Sequence, residues 1–196
     1  MNYEELENFL QRKIFPELEK GRASIDKAHT KSVAIKIKEI VKNTPALKID
    51  YPVLIIAAYA HDWGYSELFE NGKALKLSDV ANTKEKHMVA GAKKLKNLLK
   101  DPFFNALSQK QKNRAIHLVK THDRLDQLKD IDELLLMEAD SLGGLDIEHV
   151  TFSFDKESKE RFLKNSREKR LPKFITDWGK KEFKRLFLLR QKYDEG

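Results

Sequence analysis

The chain has no cysteine. Disulfide scaffolds, thiolate metal sites and cysteine nucleophiles are therefore excluded, and any bound metal must rest on His, Asp or Glu. Long apolar runs are missing as well. The longest, Val53 to Ala60, is far too short to cross a bilayer and is followed at once by His61 and Asp62. The first five residues, Met1 to Glu5, are acidic and contain no apolar h-region, so they do not read as a secretory signal. These absences suit a cytoplasmic protein without a membrane partner.

What is present fits one ordinary domain. The 196 residues are 40% apolar and 35% charged, enough to bury a core without covalent staples. The net charge of +7 favours anionic ligands such as nucleotides, nucleic acid or acidic lipid. The excess is spread along Lys-rich helix faces, which solvation explains more simply than a dedicated nucleic-acid patch.

Nearly every segment carries the helical period. Residues 3–18 place Leu6, Phe9, Leu10, Ile14 and Leu18 on one stripe. Gly21 breaks the chain, and Ser24 or Asp26 caps a second helix reaching about Val41. Asn43-Thr44-Pro45 ends it. Pro52 starts a third helix that stops near His61-Asp62, with Gly64 beyond. Residues 65–83 are polar and read as a loop with at most one short helix. Further helices are expected over Lys84 to Leu99, from Ser108 to near Asp123, and over Ile131 to Leu142, the last stopped by Gly143-Gly144. Ile147 to Phe154 has an extended-turn composition. Two basic helices follow, separated at Leu171-Pro172. With no repeat and no linker, the expected fold is all-α, a single-domain helical bundle.

The sharpest signal is where the ionisable residues fall. His29 is in register with Val33, Ile37 and Ile40. His61 follows Leu54 and Ala58, and Asp62 follows Ile55 and Ala58. His87 leads to Gly91, Leu95 and Leu98, His122 follows Ala115 and Leu118, and Asp140 follows Leu136. Six titratable groups from five helices thus occupy core-facing stripes. Any one could be a satisfied core residue. Together they are costly unless paired or ligated, and a shared cation neutralises the carboxylates while satisfying the imidazoles. The N/O donor set suits Mn²⁺, Fe²⁺, Co²⁺, Ni²⁺, Mg²⁺ or Zn²⁺ without choosing among them.

A lone His, a His-Asp pair closing an apolar helix and a distant Asp resemble the HD superfamily of metal-dependent phosphohydrolases. The resemblance runs from about Ser24 to Leu142. It is carried by the segments around His29, by Ile55 to Gly64, and by Leu134 to Leu142. It implies a helical fold with one metal on His29, His61, Asp62 and Asp140. In a two-metal subset, His87 and His122 hold the second ion and Asp62 bridges. Relatives often differ at Ser32, Tyr65, Glu138 and Ser141, which bears on the substrate more than on the metal. The implied activity is hydrolysis of a phosphate ester or anhydride of a nucleotide or similar small molecule by a metal-activated water, with Asp62 or Asp140 orienting that water. Lys86, Lys120 and Arg124 are the expected phosphate ligands, because they flank proposed metal ligands. Trp63 and Tyr65 wall the pocket or simply pack, and His117 and His149 take no role. Two rival readings remain: a di-iron oxygenase of the same fold, and a non-catalytic nucleic-acid-binding or regulatory domain.

Overall fold

The computed structural model describes residues 2–22, 25–69, 77–151 and 155–195. Eight α-helices build it: α1 (Tyr3–Leu18), α2 (Ile25–Asn43), α3 (Tyr51–Ala60), α4 (Leu77–Leu98), α5 (Gln109–Thr121), α6 (Ile131–Leu145), α7 (Lys156–Asn165) and α8 (Asp177–Glu195). No strand occurs among the described residues, so the fold is all-α, as the periodicity predicts. No described helix is long and apolar enough to cross a membrane.

α3 is the axis of the bundle. Asp50 caps its N-terminus, Pro52 occupies its first turn, and Val53 to Ala60 are all buried. A helix that is apolar on every side needs neighbours on every side, and α1, α2, α4, α5 and α6 all pack on it. Its C-terminal end, carrying His61 and Asp62, is thereby fixed in the interior. Capping boxes start α5 (Ser108 with Gln111) and α6 (Asp130 with Glu133).

Two glycine contacts set how closely α3 and α4, and α2 and α6, approach. A Cβ on Gly64 would lie 2.0 Å from the backbone oxygen of His87, so the turn after α3 sits directly against α4. A Cβ on Gly143 would lie 2.8 Å from Val33 Cγ2 and 3.0 Å from Val33 N, so α6 sits close against α2. Gly143 and Gly144 therefore do not end α6, which continues through both to Leu145; the small size of Gly143 serves packing against α2 rather than termination.

Other boundaries differ from expectation. α4 begins at Leu77, seven residues before Lys84; the expected loop over 65–83 is a 3₁₀ turn at Trp63–Glu67, then residues 70–76, outside the described set. Ser24 also lies outside it, so its capping role has no structural account. Residues 147–149 form a turn, and 152–154 are outside the described residues. Beyond α7 the chain widens into a π turn (Ser166–Arg170) and then tightens through a 3₁₀ turn (Leu171–Lys173) before α8. Buried Glu138 of α6 anchors this corner by accepting from the backbone N–H groups of Ile175 (3.0 Å) and Thr176 (3.3 Å) and from the Thr176 hydroxyl. The corner packs α7 on α4 and the π turn on α6.

A candidate metal centre

All six stripe residues converge. His61 and Asp62 close α3, His29 comes from α2, His87 from α4, His122 caps α5 and Asp140 comes from α6. All are buried except Asp140, which is partly buried. One half of the centre gathers His29, His61 and Asp140. His29 Nε2 is 2.9 Å from Asp140 Oδ1 and 3.3 Å from His61 Nε2. His61 Nε2 is 3.8 Å from Asp140 Oδ1. The other half holds His87 and His122, with their Nε2 atoms 3.3 Å apart.

Asp62 lies between the halves. Its Oδ2 is 3.4 Å from His61 Nε2 and 3.7 Å from His29 Nε2. Its Oδ1 is 3.6 Å from both His87 Nε2 and His122 Nε2. Each carboxylate oxygen thus faces its own pair of imidazoles.

Two of the ring nitrogens are arranged as a donor set requires. His61 Nδ1 donates to the Ala58 carbonyl at 2.8 Å and His122 Nδ1 to the Val119 carbonyl at 2.9 Å. These partners assign the proton of each neutral ring to Nδ1. Nε2 then carries a lone pair aimed into the cluster. Lone pairs on nitrogens 3.3 Å apart repel unless a proton or a cation lies between them. Four imidazoles and two carboxylates gathered this closely, with backbone carbonyls holding Nδ1 of His61 and of His122, fit a borderline divalent cation. His29, His61 and Asp62, and separately Asp62, His87 and His122, each offer ligand atoms within 4.8 Å of one another.

The electrostatics separate the two halves. Burial works against charge on His61, but Asp62 and Asp140 outweigh it and raise its pKa to about 9. Burial dominates at His87 and pushes it down to about 3, so it stays neutral. Burial also opposes charge on Asp62 and Asp140. His61 and Arg22 nevertheless hold Asp62 well below the usual carboxylate range, and Arg170 and His29 do the same for Asp140.

A cavity of about 330 Å³ opens over the cluster, at the small end for ligand sites. Its cationic residues are not the expected ones. Arg22 Nη2 donates to Asp62 Oδ2 at 2.5 Å, while its Nε donates to Asp26 Oδ1 at 2.6 Å. The Arg22 guanidinium also lies 3.7 Å from the centroid of the Tyr65 ring, and Tyr65 stacks on His87 at 4.0 Å. Arg170 Nη1 donates to Asp140 Oδ2 at 2.7 Å, and its Nη2 donates to Asp123. Burial disfavours charge on both arginines, but Asp26 and Asp62 for Arg22, and Asp140 and Asp123 for Arg170, hold them protonated. Lys84, Arg161 and Lys169 also line the cavity.

Lys86, Lys120 and Arg124 are not among the lining residues. Lys86 and Lys120 are exposed. One and two residues from a ligand on a helix correspond to about 100° and 200° of rotation, which turns each away from the site. Arg124 reaches outward to Glu85, with Nη2 donating to Oε2 at 2.7 Å. Sequence adjacency to these histidines is a poor guide: none of the three lines the cavity, whereas Arg22 and Arg170 do. Arg22, Asp26, Asp123 and Arg170 were all missed. Asp26 lies three residues before His29 and Asp123 directly follows His122, so both could have been noticed. Arg170, in a π turn of the basic C-terminal segment, gave no local signal. Tyr65 both walls the cavity and packs, whereas Trp63 packs and donates through Nε1 to Glu17 at 2.9 Å. His117 turns outward to Glu133 (2.7 Å), and His149 pairs with Asp146 (3.2 Å).

An all-helical bundle that focuses His and Asp ligands from five helices beneath an Arg-lined cavity defines a class of metal-binding domain. The HD domain family model matches residues 27–145, most of the chain, and the chain belongs to that family. Its members are generally metal-dependent hydrolases of phosphate bonds. No curated protein and no solved structure matches the chain.

Proposed function

We propose that the chain is a phosphohydrolase acting on a phosphate ester or anhydride of a nucleotide or similar small molecule. The observation that carries this reading is Asp62, each of whose carboxylate oxygens faces a separate set of histidines at the floor of a cationic cavity. His29, His61, Asp62 and Asp140 would hold one divalent ion, and Asp62, His87 and His122 a second. A divalent ion there supplies a bound water of lowered pKa and polarises a phosphoryl oxygen.

The chain's own groups do the rest. Asp140 remains ionised beside His29 and can accept a hydrogen bond from a water, fixing its lone pairs toward phosphorus. Arg22 and Arg170 present protonated guanidiniums on two sides of the cluster. Charge-assisted hydrogen bonds from them suit the oxygens of a tetrahedral phosphoryl group. Tyr65 braces both Arg22 and His87.

The test is phosphate release from a panel of nucleotides and a generic phosphate ester, with Mn²⁺ or Co²⁺ added. Release is expected from the wild type and is abolished in Asp62→Ala. Release at full rate in that variant would overturn the proposal.

A further inference from the structure

One face of the C-terminal segment is turned to the cavity. Arg161, Asn165 and Lys169 recur at steps of four, and Phe162, Ser166 and Arg170 follow the same spacing one residue later; all six line the cavity. The second row reaches the metal centre through Arg170. The first row places an amide between two cations along roughly 12 Å of helix.

The charges of the cavity can be assigned individually. Arg22 is held by Asp26 and Asp62, Arg170 by Asp123 and Asp140, and Lys84 lies 3.6 Å from Asp123. Arg161 and Lys169 are exposed, and neither has an ion-pair or hydrogen-bond partner among the described residues. They remain as two unneutralised cations at the mouth of a cavity whose floor already has the groups for one phosphoryl. A substrate with a single phosphate would leave them unused.

We propose that Arg161, Asn165 and Lys169 form a second phosphate subsite, selecting substrates that carry adjacent phosphoryl groups, as in a nucleoside di- or triphosphate. The inference rests on the floor taking the reacting phosphoryl group, as set out under Proposed function. The small cavity admits that group, and the next phosphoryl groups meet the row at the mouth, where cations and an amide N–H₂ donate to their oxygens.

The experiment measures equilibrium binding by calorimetry to the full-length chain kept metal-free with EDTA, at one fixed salt concentration. The ligands are AMP, ATP, inorganic tripolyphosphate and a single-stranded oligonucleotide. ATP and tripolyphosphate are expected to bind at least ~10-fold more tightly than AMP, as charge-assisted contacts to one further phosphoryl imply. The double variant Arg161→Gln/Lys169→Gln brings that ratio to within about twofold. Lys86→Gln, outside the cavity, leaves it unchanged. Equal affinity for ATP and tripolyphosphate supports a subsite reading phosphates alone; tighter ATP supports one that also senses the nucleoside. A ratio near one in the wild type, a ratio that survives the double variant, or an oligonucleotide preferred over tripolyphosphate overturns the proposal. Because binding is read without metal, an absence of phosphate release with the ratio intact would sink the hydrolase reading alone.

Discussion

Gly64→Ala should separate the two halves of the metal centre. The added Cβ would sit 2.0 Å from the backbone oxygen of His87 and 2.7 Å from both the His87 carbonyl carbon and the Gly91 nitrogen. All three are backbone atoms of α4, so no side-chain rotation relieves the clash. Reaching ordinary contact near 3.5 Å requires the turn and α4 to part by roughly 1.5 Å. His87 moves with α4, while its Nε2 starts only 3.6 Å from Asp62 Oδ1 and 3.3 Å from His122 Nε2. Histidine–metal bonds tolerate deviations of about 0.2 Å, so His87 is lost as a ligand. His29, His61 and Asp140 stand on α2, α3 and α6 and keep their places. The expected result is a folded protein, destabilised by about 1–3 kcal/mol, that keeps one ion and loses the other. Turnover falls ~100-fold or more, as an ångström-scale misplacement implies. Metal content by plasma mass spectrometry, far-ultraviolet circular dichroism and phosphate release check this. His87→Ala serves as a second variant that removes the ligand without the clash. A helical Gly64→Ala protein with wild-type metal content and turnover would refute the reasoning.

Other outcomes follow from contacts away from the centre. Gly143→Ala places its Cβ 2.8 Å from Val33 Cγ2 and 3.0 Å from Val33 N; a cost of about 2 kcal/mol lowers the melting temperature by roughly 4–8 °C, read by scanning calorimetry. Lys36 is buried in α2, 3.2 Å from Asp146 and 3.3 Å from Glu182. Lys36→Met leaves the buried Asp146 carboxylate with His149 as its remaining ion-pair partner among the described residues, should cost about 3 kcal/mol in urea denaturation, and leaves metal content unchanged. Burial opposes charge on Asp146, but Lys36 and His149 outweigh it and hold its pKa below the usual value. Its stabilisation is therefore present above the unfolded value of about 3.9 and disappears as pH falls through the lower folded value. The stability gap between wild type and Asp146→Asn, measured by urea denaturation, should narrow below about pH 4.

Helical periodicity carried most of the architecture because nearly every helix is amphipathic, and α3 was legible through its uniform apolarity. It also carried the ligand candidates. A polar residue placed on a core stripe is visible in sequence whenever the stripe is, and His29, His61, Asp62, His87, His122 and Asp140 all meet where their stripes point. What failed were inferences that depend on contact across the bundle. Gly143-Gly144 looked like a stop because glycine commonly ends helices; the proximity of Val33 makes it a packing notch instead. Closeness in sequence does not carry Lys86, Lys120 or Arg124 into the cavity: Lys86 and Lys120 face outward from their helices, and Arg124, past the end of α5, pairs with Glu85. The cations that do line the cavity come from residues 22 and 84 and from residues 161–170. The Glu138 anchor and the corner after α7 that bring the latter segment into place are long-range features with no local signature.

The account depends on the six side chains being metal ligands rather than a network neutralised by Arg22 and Arg170. Crystals grown or soaked with Mn²⁺, with anomalous diffraction recorded above the manganese edge, test this most directly. The expected map has one peak bonded to His29, His61, Asp62 and Asp140 and another bonded to Asp62, His87 and His122. An ordered centre without anomalous density at millimolar Mn²⁺, with both arginines still seated on Asp62 and Asp140, would contradict it.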